Sequence, residues 1–263
     1  MRVKITRMEQ EEAKITYQEA AGIVIITIHR PQLRNALSQD MWNELYNAAR
    51  KALKNKKNKV LMLRGSGQQF TSGSDIKEFH EMSLDEAEKS FVTMEKTIAY
   101  IEKLPLPTLG VINGPAMGAG LELALACDLR IGSENAKMGI PVGNLGITLN
   151  NKFAHRLVNL LGPSITKELV YTGKVFGASE AFEKGLLNRL ESKGELDRVA
   201  IKMAKLISSQ SPASLKAIKK SVAECTNSVP ELWEGSTPFV DPIDFPEGVA
   251  AFVEKRKPNF KNR

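Results

Sequence analysis

Apolar positions change their period several times along the chain, and each change marks an element. Residues 15–28 alternate, turn at Ala21-Gly22 and continue as a β-branched run from Ile23 to Ile28, which predicts a hairpin. From Ser38 to about Asn55, Met41, Leu45, Ala48/Ala49 and Ala52 recur at helical spacing, with Ser38 placed to cap the helix. Val60 to Leu63 reads as a short buried strand. Ser83 and Glu86 stand at capping-box spacing. The helix they open places Phe91, Met94, Ile98 and Ile101 on one face and stops before Pro105 and Pro107. Thr108–Ile112 is the next strand, Gly114–Gly120 a glycine-rich stretch, Leu121–Ala126 an apolar helix and Leu129–Ile131 strand-like again.

Further on, Ser164–Tyr171 and Ala178–Lys184 are short helical patterns, with Gly173 and Gly185 as stops. Leu186–Leu190 reads as a last strand. Beyond Glu195 only helices are expected, over 195–209, 212–227 and about 246–256. Pro238, Pro242 and Pro246 predict an irregular piece before the last of these, a lid over a pocket or a subunit contact. Strand-then-helix order up to about residue 190 predicts an α/β body. The chain divides on this reading into a core of residues 1–194 and a helical region of residues 195–263.

Composition narrows the class. The chain has 263 residues, 42% of them hydrophobic and 25% charged, the balance of a soluble globular protein. Cys127 and Cys225 are the only 2 cysteines, too few for a disulfide framework or a cysteine-based zinc site, and no metal is expected. The opening MRVKITRMEQEEAKITY has no apolar signal core, and no stretch approaches the ~20 apolar residues of a membrane span. These features predict a cytoplasmic protein with no membrane partner. The net charge of +7 suits a polyanionic ligand. The basic stretches 54–59 and 255–263 lack the interleaved aromatics of a base-stacking surface, so a solvated loop and tail, then a phosphorylated ligand, are preferred and no nucleic-acid partner is expected.

Three glycine-rich places could carry chemistry. Gly65-Ser66-Gly67 imitates a dinucleotide fingerprint, but Phe70 stands at the third glycine and no helix opens there. The small-residue turn within Phe70–Phe79 exposes backbone N–H groups that suit an anionic oxygen, although alone it is equally an ordinary loop. Ile112–Glu122 runs from a strand through glycines into a helix, and Glu122 falls inside the apolar run LELALA. A carboxyl so placed faces solvent, pairs with an arginine, or is raised into the range of a general acid or base. Taken together, the last two places offer two N–H donors and a carboxyl, the parts that stabilise a thioester enolate.

Six segments repeat a known pattern in order and spacing: HRPQLRNALS (29–38), FTSGSDIKEF (70–79), INGPAMGAGLELALACDLRI (112–131), AKMGIPVGNLGI (136–147), ASEAFEKGLLN (178–188) and AFVEKRKPNF (251–260). Over nearly its whole length the chain resembles the crotonase superfamily, the enoyl-CoA hydratase/isomerase family. The resemblance implies an α/β spiral of β-β-α units with a C-terminal helical region that supports a homotrimer, or a dimer of trimers. It implies an acyl-CoA thioester as substrate and no prosthetic group. By the same resemblance the N–H groups of Ser74 and Ala119 are the oxyanion donors and Glu122 is an acid/base. Arg34, Ala36, Leu37, Ser72, Asp75, Ile76, Lys77, Gly118, Phe252 and Lys255 match positions around the coenzyme A moiety. Met117, Val142 and Asn144 match the substrate pocket.

The chain departs from the pattern at one chemical position. The family's second glutamate follows the proline here numbered Pro141, and Val142 stands in its place. Ile147–Asn151 replaces a Pro-Gly-rich loop beside it. Valine transfers no proton, and a positioned acid or base contributes roughly 10²–10⁴-fold. Of the nearby polar groups, His80 reads as a surface residue, Asn144 could orient a water without acting as a base, and Asp75 reads as structural. The expectation is a hydratase-like enzyme with Glu122 as the single acid/base. Decarboxylation, thioester hydrolysis, isomerisation and non-catalytic acyl-CoA binding are the alternatives.

Overall fold

The computed structural model describes residues 14–226 and 242–260. Strands β1 (Lys14–Ala20) and β2 (Ile23–His29) form the expected hairpin across Ala21-Gly22. β2 then pairs in parallel with β3 (Val60–Gly65), β3 with β4 (Thr108–Ile112), β4 with β6 (Leu129–Ser133) and β6 with β9 (Arg189–Glu191). A smaller sheet contains β5 (Pro115–Met117), β7 (Lys137–Gly139) and β8 (Val175–Gly177). Isolated parallel bridges, Leu37 to Ser74 and Thr71 to Ala116, carry the same pairing across the earlier loops. Each turn of the chain thus lays one strand in the large sheet, one short stretch in the small layer and then a helix, the expected spiral.

Strand period sorts the side chains between two cores. Val24, Ile26, Ile28, Leu61 and Leu63 face one cluster, while Ile23, Val60, Met62, Leu109 and Val111 face the other. Helices α1 (Gln39–Ala52) and α3 (Leu84–Glu102) cover the first face. The second is covered by α7 (Leu196–Ser208), through Leu196, Val199, Ala200 and Ala204. The C-terminal region therefore begins by sealing the sheet. Strands buried on both faces explain the unbroken apolar runs of β3 and β4.

Helix starts follow local chemistry. Ser38 caps α1 by accepting from the Met41 N–H, and Ser83 with Glu86 makes a complete capping box on α3. Helix α2 (Ile76–His80) is capped by the Asp75 side chain, and α4 (Ala119–Leu125) begins at Gly118. The chain between β7 and β8 differs from expectation. α5 (Asn151–Thr172) starts well before the predicted Ser164, because Asn150 caps it through the Phe153 N–H. It breaks at Gly162 (φ 70°, ψ 167°), and Pro163 reopens it with the fixed φ that suits a first helical position. α6 (Ala178–Glu183) and α8 (Pro212–Thr226) fall where predicted.

Helix α9 (Asp244–Glu254) corrects one expectation: Pro246 does not interrupt it, since a proline in the first turn removes no intrahelical bond. Pro238, and the proline-rich piece up to residue 241, lie outside the described residues, as do the last 3 of the basic tail. α9 folds back over α2 and the 3-10 turn Val142–Leu145. Its Phe245 is buried edge-on against Phe79 (5.7 Å) and Phe91 (6.1 Å), which stack on each other at 4.8 Å.

Candidate functional site

A cavity of about 970 Å³ opens between α2, α4, the Val142–Leu145 turn, the start of α5 and the end of α9. Phe79, Phe91, Met94, Ile147, Leu149 and Phe153 give it an apolar interior. Three exposed cations, Arg34, Lys77 and Lys255, stand on its lining.

Buried Asn35 shapes one wall. It adopts φ 56°, and its Nδ2 donates to the carbonyls of Ser66 (2.9 Å), Gln69 (3.0 Å) and Phe70 (3.3 Å). Its own carbonyl accepts from Thr71 Oγ1 at 2.7 Å, and that hydroxyl accepts from the Gly73 N–H at 3.1 Å. Asp75 is tied to Arg30 at 2.8 Å and caps α2, so it is occupied structurally. The Ser74 side chain is likewise engaged in packing, since its Oγ accepts from Trp42 Nε1 at 3.2 Å and lies 3.5 Å from Met94 Sδ.

Glycines bring this wall against the start of α4. Gly73 has φ +95°, and a Cβ there would lie 2.7 Å from the Met117 carbonyl oxygen and 3.2 Å from the Ala119 nitrogen. On Gly120 a Cβ would stand 2.4 Å from the Thr71 carbonyl oxygen. Only glycine permits both approaches. Ser74 and Ala119 line the same cavity, and among the described residues the N–H of neither donates to a protein acceptor. For Ala119 the reason is general, since the first N–H groups of a helix have no intrahelical acceptor.

Glu122 lies one turn further along α4, lines the cavity and is 1% exposed. It accepts from Arg156 Nη1 at 2.7 Å. Arg156, on α5, also binds Glu95 and Glu102 of α3. Burial drives the Glu122 carboxyl well above the usual range, and the charge of Glu95 adds to this against the pull of Arg156. Burial also works against an ionised Glu95, but its hydrogen bonds and charge pairing with Arg156 outweigh that and hold it low.

Most residues named from the sequence converge here. Arg34, Ala36, Ser72, Ser74, Asp75, Ile76, Lys77, Met117, Gly118, Ala119, Glu122 and Val142 line one cavity, joined from the C-terminal region by Phe252 and Lys255. Two stand apart. Leu37 is buried in the core and only splices the wall, its N–H donating to the Gly73 carbonyl and its carbonyl accepting from Asp75. Asn144 is exposed on the 3-10 turn and does not line the cavity. His80 lines the rim and is exposed. The sequence reading missed Glu95, Glu102 and Arg156. A signal existed: Glu95 and Glu102 are two helical turns apart, beside the apolar stripe of Phe91, Met94 and Ile98, and so share a largely buried face.

The profile of the enoyl-CoA hydratase/isomerase family matches residues 18–263. The chain belongs to this family. It is 37% identical over 244 residues to the probable enoyl-CoA hydratase 2, mitochondrial, of Arabidopsis thaliana, covering 90% of this chain and 81% of that one. It is 33% identical over 254 residues to the crotonyl-CoA hydratase of Syntrophomonas wolfei, covering 94% and 97%. Among solved structures, methylmalonyl-CoA decarboxylase in complex with 2-nitronate-propionyl-CoA superimposes with a TM-score of 0.83 at 25% identity, over 95% of this chain and 98% of that one. Family membership makes the protein an acyl-CoA-processing enzyme of the crotonase fold. No helix among the described residues is long and apolar enough to cross a membrane.

Proposed function

We propose that this family member stabilises a thioester enolate between the N–H groups of Ser74 and Ala119 and exchanges a proton with it through Glu122, in a hydratase-like addition of water to an enoyl-CoA. The observation that carries the reading is the contact Gly73 permits. It brings together Ser74 and Ala119, whose N–H groups have no protein acceptor among the described residues, in the lining of a cavity that also contains the buried carboxyl of Glu122. Such donors act where charge develops and need no reorganisation during reaction. Arg34, Lys77 and Lys255 suit the phosphates of coenzyme A, with Phe252 beside them, and the apolar interior suits the acyl chain. No prosthetic group enters this chemistry.

Val142 favours a second reading, loss of CO₂ from an α-carboxyacyl-CoA. That reaction needs an oxyanion site and one proton donor, but no second carboxylate to activate water. The likeness to a solved methylmalonyl-CoA decarboxylase supports it. Incubation with enoyl-CoA and α-carboxyacyl-CoA panels, followed by mass spectrometry, distinguishes gain of water from loss of CO₂. Turnover that Glu122→Gln abolishes supports the proposal. Acyl-CoA binding with no mass change in any member of the panels contradicts it and leaves a binding protein. A homotrimer, or a dimer of trimers, belongs to the same reading, supported by the exposed apolar Leu206, Ile218 and Val222 on α7 and α8. A monomer in sedimentation would contradict that part.

A further inference from the structure

The carboxyl of Glu122 is backed by charge rather than by apolar packing. Arg156 spends all its guanidinium nitrogens on three carboxyls. Its Nε and Nη2 fork onto Glu102 at 3.1 and 2.8 Å. Nη1 and Nη2 straddle Glu95 at 3.2 and 3.0 Å. Only a single bond, Nη1 at 2.7 Å, reaches Glu122. One further cation approaches: Lys152 Nζ, 3.8 Å from Glu95 Oε1 on a side chain that is 65% exposed.

The charges do not balance if all three carboxyls ionise. Two forked carboxylates already exceed the single charge of Arg156, and a third anion would be buried with them. Like charges at this spacing cannot all ionise in a buried site. Glu102 is part-exposed and forked, and Glu95 is forked and approached by Lys152. Glu122 is the most deeply buried and has the fewest donors. The cluster's proton therefore belongs on Glu122, and Glu95, in hydrogen-bond contact with it, is the acceptor that holds it.

We propose that Glu95, anchored by Arg156, is a positioning residue that keeps Glu122 in its acid form between turnovers and passes it a replacement proton from solvent. This rests on the reading of Glu122 as the group that protonates the enolate. In the step itself the Glu122 O–H bond breaks and a C–H bond forms at the α-carbon from the enolate's electron pair, leaving a Glu122 carboxylate. In water addition, water bonds to the β-carbon as the Glu122 proton reaches the α-carbon, and the Glu122 carboxylate so formed takes the proton that the added oxygen sheds, which restores the acid. When CO₂ is lost, a solvent proton restores it through the exposed Lys152 edge and Glu95. The cluster thus makes the resting enzyme a proton donor, which suits both proposed reactions and excludes one that must begin by removing an α-proton. The direction of both titrations agrees: Glu122 is raised by burial and then by Glu95, while Glu95 is lowered against burial by Arg156. The other titratable side chains of the cavity wall are Arg34, Asp75, Lys77, His80, Glu81 and Lys255, and among the described residues none hydrogen-bonds to Glu122, Glu95 or Arg156.

Infrared spectroscopy tests this without substrate. At neutral pH the wild type should show a buried protonated-carboxyl band that shifts in D₂O and is absent from Glu122→Gln. Glu95→Asp, which keeps the charge, should retain the band. Glu95→Gln should lose the band at a lower pH than the wild type does, and the alkaline limb of its kcat profile should move down by about one pH unit or more with KM unchanged. A wild type without the band, or a Glu95→Gln protein whose band and pH limb do not move, would overturn the inference. The expected band behaviour in a protein that turns over no acyl-CoA would uphold the placement of the proton on Glu122 by Glu95, while overturning the proton-resupply role and the proposed function. If Glu95→Gln does not fold, the difference spectrum between wild type and Glu122→Gln still decides where the proton resides.

Discussion

Replacing Gly73 by alanine tests the donor wall directly. The new Cβ would meet the Met117 carbonyl oxygen at 2.7 Å, where ordinary contact needs about 3.4 Å, so the Gly73 loop and β5 must part by roughly 0.7 Å. Hydrogen bonds from the Ser74 and Ala119 N–H groups to one oxygen tolerate only a few tenths of an ångström. Loss of one oxyanion donor costs about 10²–10³ in kcat, or roughly 2.7–4 kcal/mol of transition-state stabilisation. The positive φ of +95° adds a folding cost of about 1–2 kcal/mol for any side chain. Gly185→Ala is the matched control: its φ is +80°, but a Cβ there meets nothing within 4 Å. Steady-state kinetics and thermal melts on both variants separate the effects. Gly73→Ala should lose kcat by the stated factor with a small change in KM, while Gly185→Ala should lose only stability. A folded Gly73→Ala protein with undiminished kcat would refute the reasoning.

Three more outcomes follow from named contacts. Val142→Glu returns a second carboxyl to the half-buried cavity wall, and water addition to an enoyl-CoA should rise on the order of 10²-fold, read by loss of the conjugated-thioester absorbance. Because Glu122 is raised in the folded protein, the native state holds a proton that the unfolded chain releases near pH 4.3. Wild-type stability should therefore fall as pH rises from about 4.3 through the folded value, and Glu122→Gln should remove that slope in denaturant titrations at a series of pH values. Equal slopes in the two proteins would contradict the assignment. Phe245→Ala should cost about 3–5 kcal/mol and raise KM for acyl-CoA, because the aromatic triad with Phe79 and Phe91 holds α9, which carries Phe252 to the cavity.

How much of this was legible in the sequence depended on how local the signal is. The hairpin, the Ser38 and Ser83 caps and the strand Thr108–Ile112 are written in neighbouring residues, and they form where expected. β5, β7 and β8 have only 3 residues each, and pairing with distant chain creates them, so no periodicity announces them. The first half of α5 was hidden by Gly162-Pro163, which reads as an end and is instead a break. At the site, the glycines and Glu122 stood out because glycine clusters and an acid in an apolar run are anomalies within one segment. Arg156, Glu95 and Glu102 come from two helices more than 50 positions apart, and only folding shows that they share a charge balance. Leu37 and Asn144 show that proximity in sequence does not put a side chain on the cavity wall. Each neighbours cavity residues in sequence, but one side chain turns into the core and the other sits on an exposed turn.

The central claim is that Glu122 delivers a proton to the α-carbon of an enolate held by the Ser74 and Ala119 N–H groups. The most direct measurement is α-carbon deuterium content after turnover in D₂O, read by mass spectrometry and nuclear magnetic resonance on the product. The account predicts one deuterium on a single face of the α-carbon with the wild type, and neither product nor label with Glu122→Gln at matched acyl-CoA occupancy. Undiminished turnover and labelling by Glu122→Gln would place the proton donor elsewhere and contradict it.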